Sequence, residues 1–501
     1  MNRPDFQPVV HEFDFDSNDF ETNLNSIEHH FSRLSSSLPG TIFLDGTGNS
    51  AFKRNRLNRY SYLGAAPIKR FVARFDEPFE FDDIRNLRKE FASKQIPGLP
   101  PFQGGLAGFL AYELNTKLER ITAAQIDEFQ TPLAVIHVYD VVVAYDHLES
   151  KGWIISQGWP ETDGHTRQNK AEDRLVQFRE ILFESAADQR SHMTPGQEII
   201  PKSTMNRLAS DIELYSDLSR GQFLDMIAKA VEYIHRGDIF QTNLSQRLLT
   251  RASCSSLELY RQMRQKNPAP FSCYFDFGDG QIISASPERL VSLSDRQIET
   301  RPIKGTRKRT GFPEVDLNVS QELADSEKDR AENVMIVDLM RNDLSKVADV
   351  DSVLVEKLCG IESFEKVLHL VSVVQARLRD ECDCIDLLEA VFPGGSITGA
   401  PKIRAMEIIS ELEPTARGPY CGSLGYINHN GNMDFNILIR TITAKGGWWQ
   451  IPVGGGIVSD SDPQAEYEET WTKAIGMLKA VSHQTHQTIK KSNRSEAATA
   501  P

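Results

Sequence analysis

Two short motifs in the middle of the chain carry side chains capable of acid and nucleophilic chemistry. Residues 286–290 have the sequence SPERL directly after a β-prone run, so Glu288 is either a solvated strand end or a general acid. Residues 301–306, RPIKGT, place Lys304 between isoleucine and glycine. A lysine there is ordinarily exposed, but an amine held in an apolar pocket acts as a nucleophile. Each motif alone leaves both interpretations open.

Carboxylates recur in two later segments with helical spacing. The first contains Glu332 in a heavily charged stretch, for which a solvated helix face is the plain alternative. The second follows the glycine-rich residues 454–460. It carries Glu466, Glu469 and Lys473 at helical spacings, which place their side chains on one face. Two carboxylates brought together from separate helices suit Mg²⁺, which prefers oxygen ligands and keeps several waters.

A glycine-rich loop, residues 392–402 (FPGGSITGAPK), leads into a helix predicted over residues 402–412. Pro401 suits the first turn of that helix, because its missing N–H would have no partner there. Backbone N–H groups at such a junction, together with the hydroxyl of Thr398, can bind an anion. An ordinary loop-to-helix junction is the competing interpretation.

Hydrophobic spacing and turn residues predict the elements that position these side chains. A capping-box pattern at Ser219 opens a helix that Gly237 ends. Residues 272–277 and 281–286 are β-prone runs on either side of Gly-Asp-Gly, which predicts a hairpin. Residues 325–340 have the spacing of a further helix. Hairpins mixed with long helices, without βαβ alternation, indicate an α+β fold.

The composition excludes several classes of function. With 501 residues, 40% of them apolar and 25% charged, the chain has the make-up of a soluble, well-packed protein. A net charge of −14 argues against a nucleic acid or an anionic membrane as partner. We find no signal peptide, transit peptide or bilayer-spanning apolar run, and six cysteines are too sparse for a disulfide framework. A cytoplasmic protein with free thiols is expected.

Taken together and in this order, the motifs resemble those of the chorismate-utilising enzymes, the family of anthranilate, aminodeoxychorismate, isochorismate and salicylate synthases. The likeness is near-continuous over residues 219–480 and includes residues 101–112 (PFQGGLAGFLAY). It implies two large, mainly antiparallel β-sheets packed together, with helices on the outside. It also implies an enzyme that removes the C4 hydroxyl of chorismate while a nucleophile adds to the ring.

The resemblance also implies an organisation into regions. It predicts an N-terminal region like that of anthranilate synthases over residues 1–190 and a chorismate-binding catalytic region over residues 205–482. A polar stretch, residues 185–210, has the composition of a linker, and residues 483–501 that of a disordered tail. Three elements are predicted in the N-terminal region: strands near residues 134–145 and 153–156, and a helix near residues 171–183.

Specific positions match the functional residues of the family. Glu288 matches the general acid that protonates the departing hydroxyl. Glu332 and Glu469 match the ligands of a Mg²⁺ that clamps the ring carboxylate. Arg440 can form a bidentate pair with a carboxylate. Such a pair would help this acidic chain to bind chorismate, which is a dianion. The other matching substrate positions are Gln241, Gly305, Thr306, His369, Thr398, Tyr426, Gly454, Gly455, Gly456 and Lys473.

Two positions separate the branches of the family. Isochorismate-forming members place a lysine base for water where this chain has Gln241, and a glutamine cannot deprotonate water. Ammonia is therefore the expected final nucleophile. Anthranilate synthases typically have alanine where this chain has Lys304. In aminodeoxychorismate synthases that lysine is proposed to add at C2 before ammonia adds at C4, which favours the branch that serves p-aminobenzoate and folate synthesis.

The resemblance leaves partners and alternatives to be weighed. Ammonia implies a separate glutamine amidotransferase subunit, because no cysteine-centred nucleophile elbow is found in the sequence. A tryptophan pocket of relatives is matched on one wall by Ala269, Pro270 and Phe271, but residues 44–46 (LDG) lack the serine usual at the other. An anthranilate synthase component and a catalytically silent chorismate-binding subunit are the alternative functions.

Overall fold

The computed structural model of this chain describes residues 6–14, 20–46, 57, 59–184, 198–199, 201, 205–209, 213–363 and 367–497. Side chains are described over the same ranges, except in residues 20–25 and 483–497. Most of the predicted linker thus lies outside the described residues. The last helix enters the segment predicted as a disordered tail, and that disorder stays a prediction.

Helices occur along the whole described chain. They are α1 (Phe20–Ser37), α2 (Phe81–Glu90), α3 (Asn115–Leu118), α4 (Gly164–Arg179), α5 (Arg220–His235), α6 (Ser256–Lys266), α7 (Pro313–Asp325), α8 (Glu327–Ser345), α9 (Cys384–Val391), α10 (Lys402–Leu412) and α11 (Pro463–Ala497). Within the described residues, none of them combines the length and the apolar character that crossing a membrane requires.

The strands form two sheets. Those of the first, 13-stranded sheet are β1 (Val9–Asp14), β2 (Ile42–Asp45), β3 (Tyr60–Gly64), β7 (Val141–Asp146), β8 (Lys151–Ser156), β9 (Asn206–Ala209), β10 (Leu214–Ser216), β11 (Gln241–Arg251), β12 (Phe271–Asp276), β13 (Gly280–Ser286), β19 (Gly399–Ala400), β22 (Thr441–Lys445) and β23 (Trp448–Ile457). Those of the second, 10-stranded sheet are β4 (Lys69–Ala73), β5 (Gly105–Leu110), β6 (Ala134–Tyr139), β14 (Arg289–Ser294), β15 (Gln297–Thr300), β16 (Ile303–Lys308), β17 (Leu354–Ser363), β18 (Val367–Arg377), β20 (Ser423–Asn428) and β21 (Met433–Asn436).

Both sheets are antiparallel and draw strands from both predicted regions. The first has the order β1-β8-β7-β3-β2-β12-β13-β22-β23-β11-β10-β9, with β19 paired to β11. The second has the order β16-β18-β15-β14-β21-β20-β5-β6-β4, with β17 paired to β18. Strand β12 lies beside β2, and β20 lies beside β5, so the N-terminal and catalytic segments build one framework.

The core consists of a layer between the sheets and layers under the helices. Strand β7 shows how one sequence serves two layers, since successive side chains of a strand point to opposite faces. Val142 and Ala144 pack between the sheets, whereas Val141, Val143 and Tyr145 pack beneath α1 and α4. A strand buried on both faces needs an apolar run rather than alternation. The predicted α+β fold of two packed antiparallel sheets with outer helices is confirmed.

Several local predictions are also confirmed. Ser219 caps α5, and its hydroxyl accepts a hydrogen bond from the Gln222 N–H. The predicted hairpin is β12–β13, and α10 begins directly after Pro401. The helix predicted over residues 325–340 begins later and ends later, because Ser326 separates α7 from α8 and caps the second.

Candidate active site

A β-bulge at Gly305 directs Lys304 into the space between the sheets. In the β16–β18 pair, Lys304 lies opposite Leu370 and Thr306 lies opposite His369, so Gly305 is the extra residue. Its φ of +69° is the left-handed conformation, and a Cβ there would lie 2.9 Å from Asp329. Only glycine fits this backbone without strain.

The Lys304 amine approaches a second glycine on the opposite sheet. A Cβ on Gly456 of β23 would lie 3.2 Å from Lys304 Nζ and 2.5 Å from Gln241 Nε2. The absence of a side chain at Gly456 thus allows the side chains of Lys304 and Gln241 to approach each other. On its other side, Lys304 Nζ lies 3.7 Å from Glu332 Oε2. The structure therefore brings together four of the predicted site residues, drawn from both sheets and from α8.

The Gln241 carboxamide is the least satisfied group in this cluster. Gln241 is fully buried at the start of β11, and neither its oxygen nor its nitrogen has a hydrogen-bond partner among the described residues. Burying an unpaired amide costs about 1–3 kcal/mol, which a ligand with matching donors and acceptors would recover. The side chain is therefore arranged for a bound molecule.

Glu288 has the environment of a proton donor. It lies between β13 and β14, is 4% exposed, and its Oε1 is 3.5 Å from the Ile303 backbone nitrogen. Burial raises the pKa of Glu288 to about 7, although the Ser396 hydroxyl, Lys304 and the Ile303 N–H oppose that shift. A carboxyl group with this pKa is about half protonated at neutral pH and suits general acid catalysis.

Acidic side chains of α11 lie beside Gly455, and Glu332 of α8 lies near enough to Glu469 to feel its charge. A Cβ on Gly455 would lie 3.5 Å from Glu466 Oε2, 3.5 Å from Glu469 Oε1 and 3.4 Å from Lys473 Nζ. Burial raises the pKa of Glu332, and the nearby Glu469 adds to that rise, while Lys304 and Lys328 oppose it. Negative charge is thus concentrated here, as a cation site requires.

Lys473 is bound to the protein itself. Its Nζ donates to Gly454 O at 2.9 Å and pairs with Glu469 Oε1 at 2.6 Å. Burial alone would raise the pKa of Glu469, but the contact with Lys473, with Lys304 and Lys328 farther away, lowers it instead. Lys473 therefore holds Glu469 in place, and its contact with substrate stays a prediction.

His369, Thr306 and Arg440 form the remaining side of the cluster. His369 Nδ1 lies 2.9 Å from Thr306 Oγ1, and burial, with Arg440 nearby, lowers the pKa of His369 to about 3. The imidazole is therefore neutral at physiological pH. Burial also lowers the pKa of Arg440, and no carboxylate in the described residues offsets this effect. A buried guanidinium without a counter-ion is suited to an anionic ligand.

The glycine-rich loop packs against the start of β11. The Thr398 hydroxyl donates to Gly394 O at 3.0 Å, so it supports the loop, and it was predicted to contact substrate. The Thr398 carbonyl accepts from the Asn243 N–H at 2.8 Å. This packing carries Ser396 to Glu288, where its hydroxyl lowers the pKa of the carboxyl.

Tyr426 lies apart from the predicted substrate-binding residues of the cluster around Lys304. Its ring stacks on Phe102, with centroids 4.6 Å apart, and contacts Tyr62. Together with Pro270 and Phe271 it lines a second cavity between the sheets, which we call the aromatic cavity. The alternation along β20 directs its ring there, and its contact with chorismate stays a prediction.

The predicted tryptophan pocket corresponds to this aromatic cavity with one change. Pro270 and Phe271 line it, whereas Ala269 is buried in the core beneath α6 and supports the wall through its carbonyl, which accepts from Ser272 Oγ. At the opposite wall Asp45 is held by Arg264, with Nε 2.6 Å from Oδ2. The identity of any ligand in the cavity stays a prediction.

A comparison with protein families decides what kind of protein this is. The family described as chorismate binding enzyme matches residues 48–479, most of the chain. The chain belongs to the chorismate-binding enzyme family. The cluster around Lys304 lies within the matched residues. So does most of the lining of the aromatic cavity, whereas Asp45 on its opposite wall precedes them.

Similar proteins of known name fall in two branches of this family. The aminodeoxychorismate synthase component 1 of Escherichia coli strain K12 is 40% identical over 470 residues, 91% of this chain and 96% of that protein. The protein of the same name from Bacillus subtilis strain 168 is 38% identical over 86% of this chain and 91% of its own length. Anthranilate synthase component 1 of Thermus thermophilus is 36% identical over 86% of this chain and 90% of its own length.

Solved structures agree on the fold. Anthranilate synthase component I of Streptococcus pneumoniae TIGR4 superposes with a TM-score of 0.72 at 31% identity, covering 87% of this chain and 98% of that one. The menaquinone-specific isochorismate synthase of Escherichia coli gives a TM-score of 0.66 at 18% identity, covering 95% of each chain, and supports the fold alone. Family and fold are thus established, and the comparisons leave the branch open.

Two residues of this chorismate-binding enzyme gained importance from the structure. Glu466 is a second carboxylate beside Gly455, next to Glu469, and its Oε1 accepts from the Ser461 hydroxyl at 2.7 Å. Ser396 is the hydroxyl beside Glu288. The helical spacing between Glu466 and Glu469 in the sequence had indicated that Glu466 lies on the same face. Nothing in the spacing of the glycine-rich loop indicated that its serine would meet the general acid.

Proposed function

We propose that this chorismate-binding enzyme is the large subunit of an aminodeoxychorismate synthase. It would convert chorismate and ammonia to 4-amino-4-deoxychorismate, the precursor of p-aminobenzoate and folate. The observation that carries the proposal is the position of the Lys304 amine, beside Gly456 and Gln241 and 3.7 Å from Glu332 Oε2. The similar proteins named aminodeoxychorismate synthase component 1 support it.

The chemistry consists of two successive displacements. Glu288 donates its proton to the C4 hydroxyl, which leaves as water while the Lys304 amine adds at C2 and the ring double bonds shift. The lysine nitrogen then passes a proton to the Glu288 carboxylate. Ammonia next adds at C4, the bond between C2 and the lysine nitrogen breaks, and the double bonds shift back, while the proton lost by the added nitrogen goes to the departing lysine amine. Two displacements deliver nitrogen to C4, which a single addition at C2 cannot do.

The residues present fit a bound Mg²⁺. Glu332 and Glu469 would hold it, with Glu466 close by. Within the described residues, no group of three or more acidic, histidine or cysteine side chains is arranged to hold a metal unaided. Mg²⁺ suits such a partial set, because it keeps waters and takes further oxygens from its substrate. When bound, it would polarise and orient the ring carboxylate.

Ammonia would come from a separate glutaminase subunit. The similar proteins bear the name component 1, which fits a two-component enzyme. All six cysteines are free, and Cys421, which lies within the residues matched by the family, is buried so that its pKa is raised to about 12. A thiol in that state is a poor nucleophile for glutamine hydrolysis.

Product identification tests the proposal. The purified chain with Mg²⁺, chorismate and an ammonium salt is expected to form 4-amino-4-deoxychorismate, separated by chromatography and identified by mass. Supplying ammonium directly makes the result independent of the partner subunit. Anthranilate as the dominant product would contradict the proposal.

Anthranilate synthase is the second candidate because a protein of that name has similar identity, 36% over 439 residues. The two reactions share the acid, the metal and the nucleophile. They differ in whether the ring receives nitrogen at C2 directly or at C4 after lysine addition. The third candidate function is that of a catalytically silent chorismate-binding subunit. It would be favoured if Glu288→Gln changed no activity.

A further inference from the structure

A buried ion pair lies behind the strand that begins with Gln241. Glu413 and Arg417 follow α10 and are 5% and 6% exposed. Arg417 Nε donates to Glu413 Oε2 at 2.8 Å, and Arg417 Nη2 donates to Glu413 Oε1 at 2.7 Å. The guanidinium carbon lies 4.5 Å from the centroid of the Tyr112 ring. Both charges are therefore paired and removed from water.

The ion pair takes the place of a neighbouring strand along β11. One edge of β11 pairs with β23, and the other pairs with β19 at its start and with β10 farther along. Between β19 and β10, Glu413 Oε1 accepts from the Ser245 N–H at 2.7 Å. Arg417 Nη2 donates to Asn243 O at 2.7 Å. Two buried main-chain groups that no strand pairs are thus satisfied by the ion pair.

The same guanidinium also holds the glycine-rich loop. Arg417 Nη1 donates to Ile397 O at 3.1 Å. Ile397 directly follows Ser396, the residue beside Glu288. One ion pair thereby joins the strand that bears Gln241 to the loop that lies against the general acid.

We propose that Glu413 and Arg417 are positioning residues for the part of the active site where ammonia would meet Gln241 and Lys304. This inference rests on the proposed function. The Gln241 carboxamide has no hydrogen-bond partner among the described residues and faces Lys304 across Gly456. Ammonia can donate an N–H to the unpaired amide oxygen or accept a hydrogen bond from the unpaired amide nitrogen. By fixing the main chain of β11 two residues beyond Gln241, the ion pair sets where the amide meets ammonia relative to the lysine.

Steady-state kinetics of Arg417→Lys test this role. Lysine keeps the positive charge but lacks the planar set of guanidinium donors. It therefore cannot donate hydrogen bonds to Glu413, Asn243 and Ile397 at the same time. The KM for ammonium is expected to rise about tenfold, because a displacement of one ångström can cost about 100-fold and the shift expected here is smaller. The KM for chorismate is expected to change by less than about twofold. A merely structural pair would lower thermal stability and leave both KM values unchanged.

A matched control uses another bidentate pair, that of the half-buried Arg174 with the buried Asp140, whose Nη2–Oδ1 distance is 2.9 Å. Arg174→Lys removes a similar fork far from Lys304 and is expected to change neither KM. If Arg417→Lys fails to fold, Glu413→Gln replaces it, because the amide still accepts from Ser245 but binds Arg417 less strongly. It should raise the ammonium KM by a smaller factor.

The outcomes separate this inference from the proposed function. Rates are measured as total aminated product, so anthranilate formation would overturn the proposed function and leave the KM comparison valid. An unchanged ammonium KM in a folded variant, or equal changes in both KM values, would overturn the positioning role. So would the failure of both variants to fold, since the pair would then serve the fold alone.

Discussion

The cluster around Lys304 and the aromatic cavity lie between the same two sheets but differ in how their charged and amide groups are paired. Among the described residues of the aromatic cavity, the Tyr62 hydroxyl is also buried without a partner, but it carries no charge. In the aromatic cavity Asp434 pairs with Arg289 at 2.8 Å, and the Tyr426 ring is stacked. In the Lys304 cluster the Gln241 amide has no partner among the described residues, and burial holds the pKa of Glu288 at about 7. Incomplete pairing marks the place where a substrate completes the structure.

The largest expected effect comes from Lys304→Ala. Without the amine, the first displacement cannot occur, so formation of 4-amino-4-deoxychorismate should fall below detection while weak amination at C2 remains. Chromatography of the products checks this. Tyr426→Ala, a truncation in the aromatic cavity, is the comparison and should retain the C4 product. Full activity of Lys304→Ala would show that the covalent step is wrong.

Glu288→Gln should lower kcat by about 10²–10⁴-fold, because the amide keeps the shape of the acid but cannot give up a proton. The wild-type profile provides a second check. The pKa of about 7 means that the required protonated form is lost as the pH rises, so kcat/KM should fall above about pH 7. In Glu288→Gln this fall should be absent. A wild-type profile that stays flat up to pH 9 would contradict the assignment.

Glu332→Gln should weaken Mg²⁺ binding by about tenfold or more, since it removes one of two carboxylate ligands from a partial set. Calorimetric titration with Mg²⁺ in the presence of chorismate measures this independently of turnover. Glu466→Gln is the matched control, because Glu466 is already engaged by Ser461 and should lose less affinity. Equal losses in the two variants would mean that Glu466 is also a ligand.

The smallest effect is expected in the aromatic cavity. Tyr426→Phe keeps the ring that stacks on Phe102 and removes only a hydroxyl, so stability should fall by about 1 kcal/mol or less. Thermal unfolding measures this, and kcat and KM for chorismate should stay at wild-type values. A marked rise in the chorismate KM would show that Tyr426 contributes to the substrate site, so the Lys304 cluster and the aromatic cavity would not be separate.

Local patterns predicted the elements around the active site well. The capping box of α5, the β12–β13 hairpin and the start of α10 depend on contacts within a few residues, which spacing reveals. Strands β1 to β5 were not predicted. Their burial depends on partners far away in sequence, such as β12 beside β2 and β20 beside β5. Pairing over such separations leaves little local signal.

The site residues followed the same division. Lys304, Glu288, Glu332 and Gln241 meet in one cluster, as the resemblance implied. The resemblance did not show that Tyr426 lines the aromatic cavity, because a one-residue difference along a strand reverses the face on which a side chain lies. Arg417 was missed, because a glutamate and an arginine four residues apart ordinarily form an exposed helical pair. Only the tertiary structure shows that this pair is buried behind Gln241.

The most direct test of the central claim is the covalent step itself. The chain is mixed with chorismate and Mg²⁺ in the absence of ammonia, quenched rapidly, and measured by intact-protein and peptide mass spectrometry, with Lys304→Ala as control. We predict an added mass of chorismate less one water on the peptide that contains Lys304, which disappears when ammonium is added. Formation of 4-amino-4-deoxychorismate by the Lys304→Ala variant, with no such adduct in the wild type, would contradict the account.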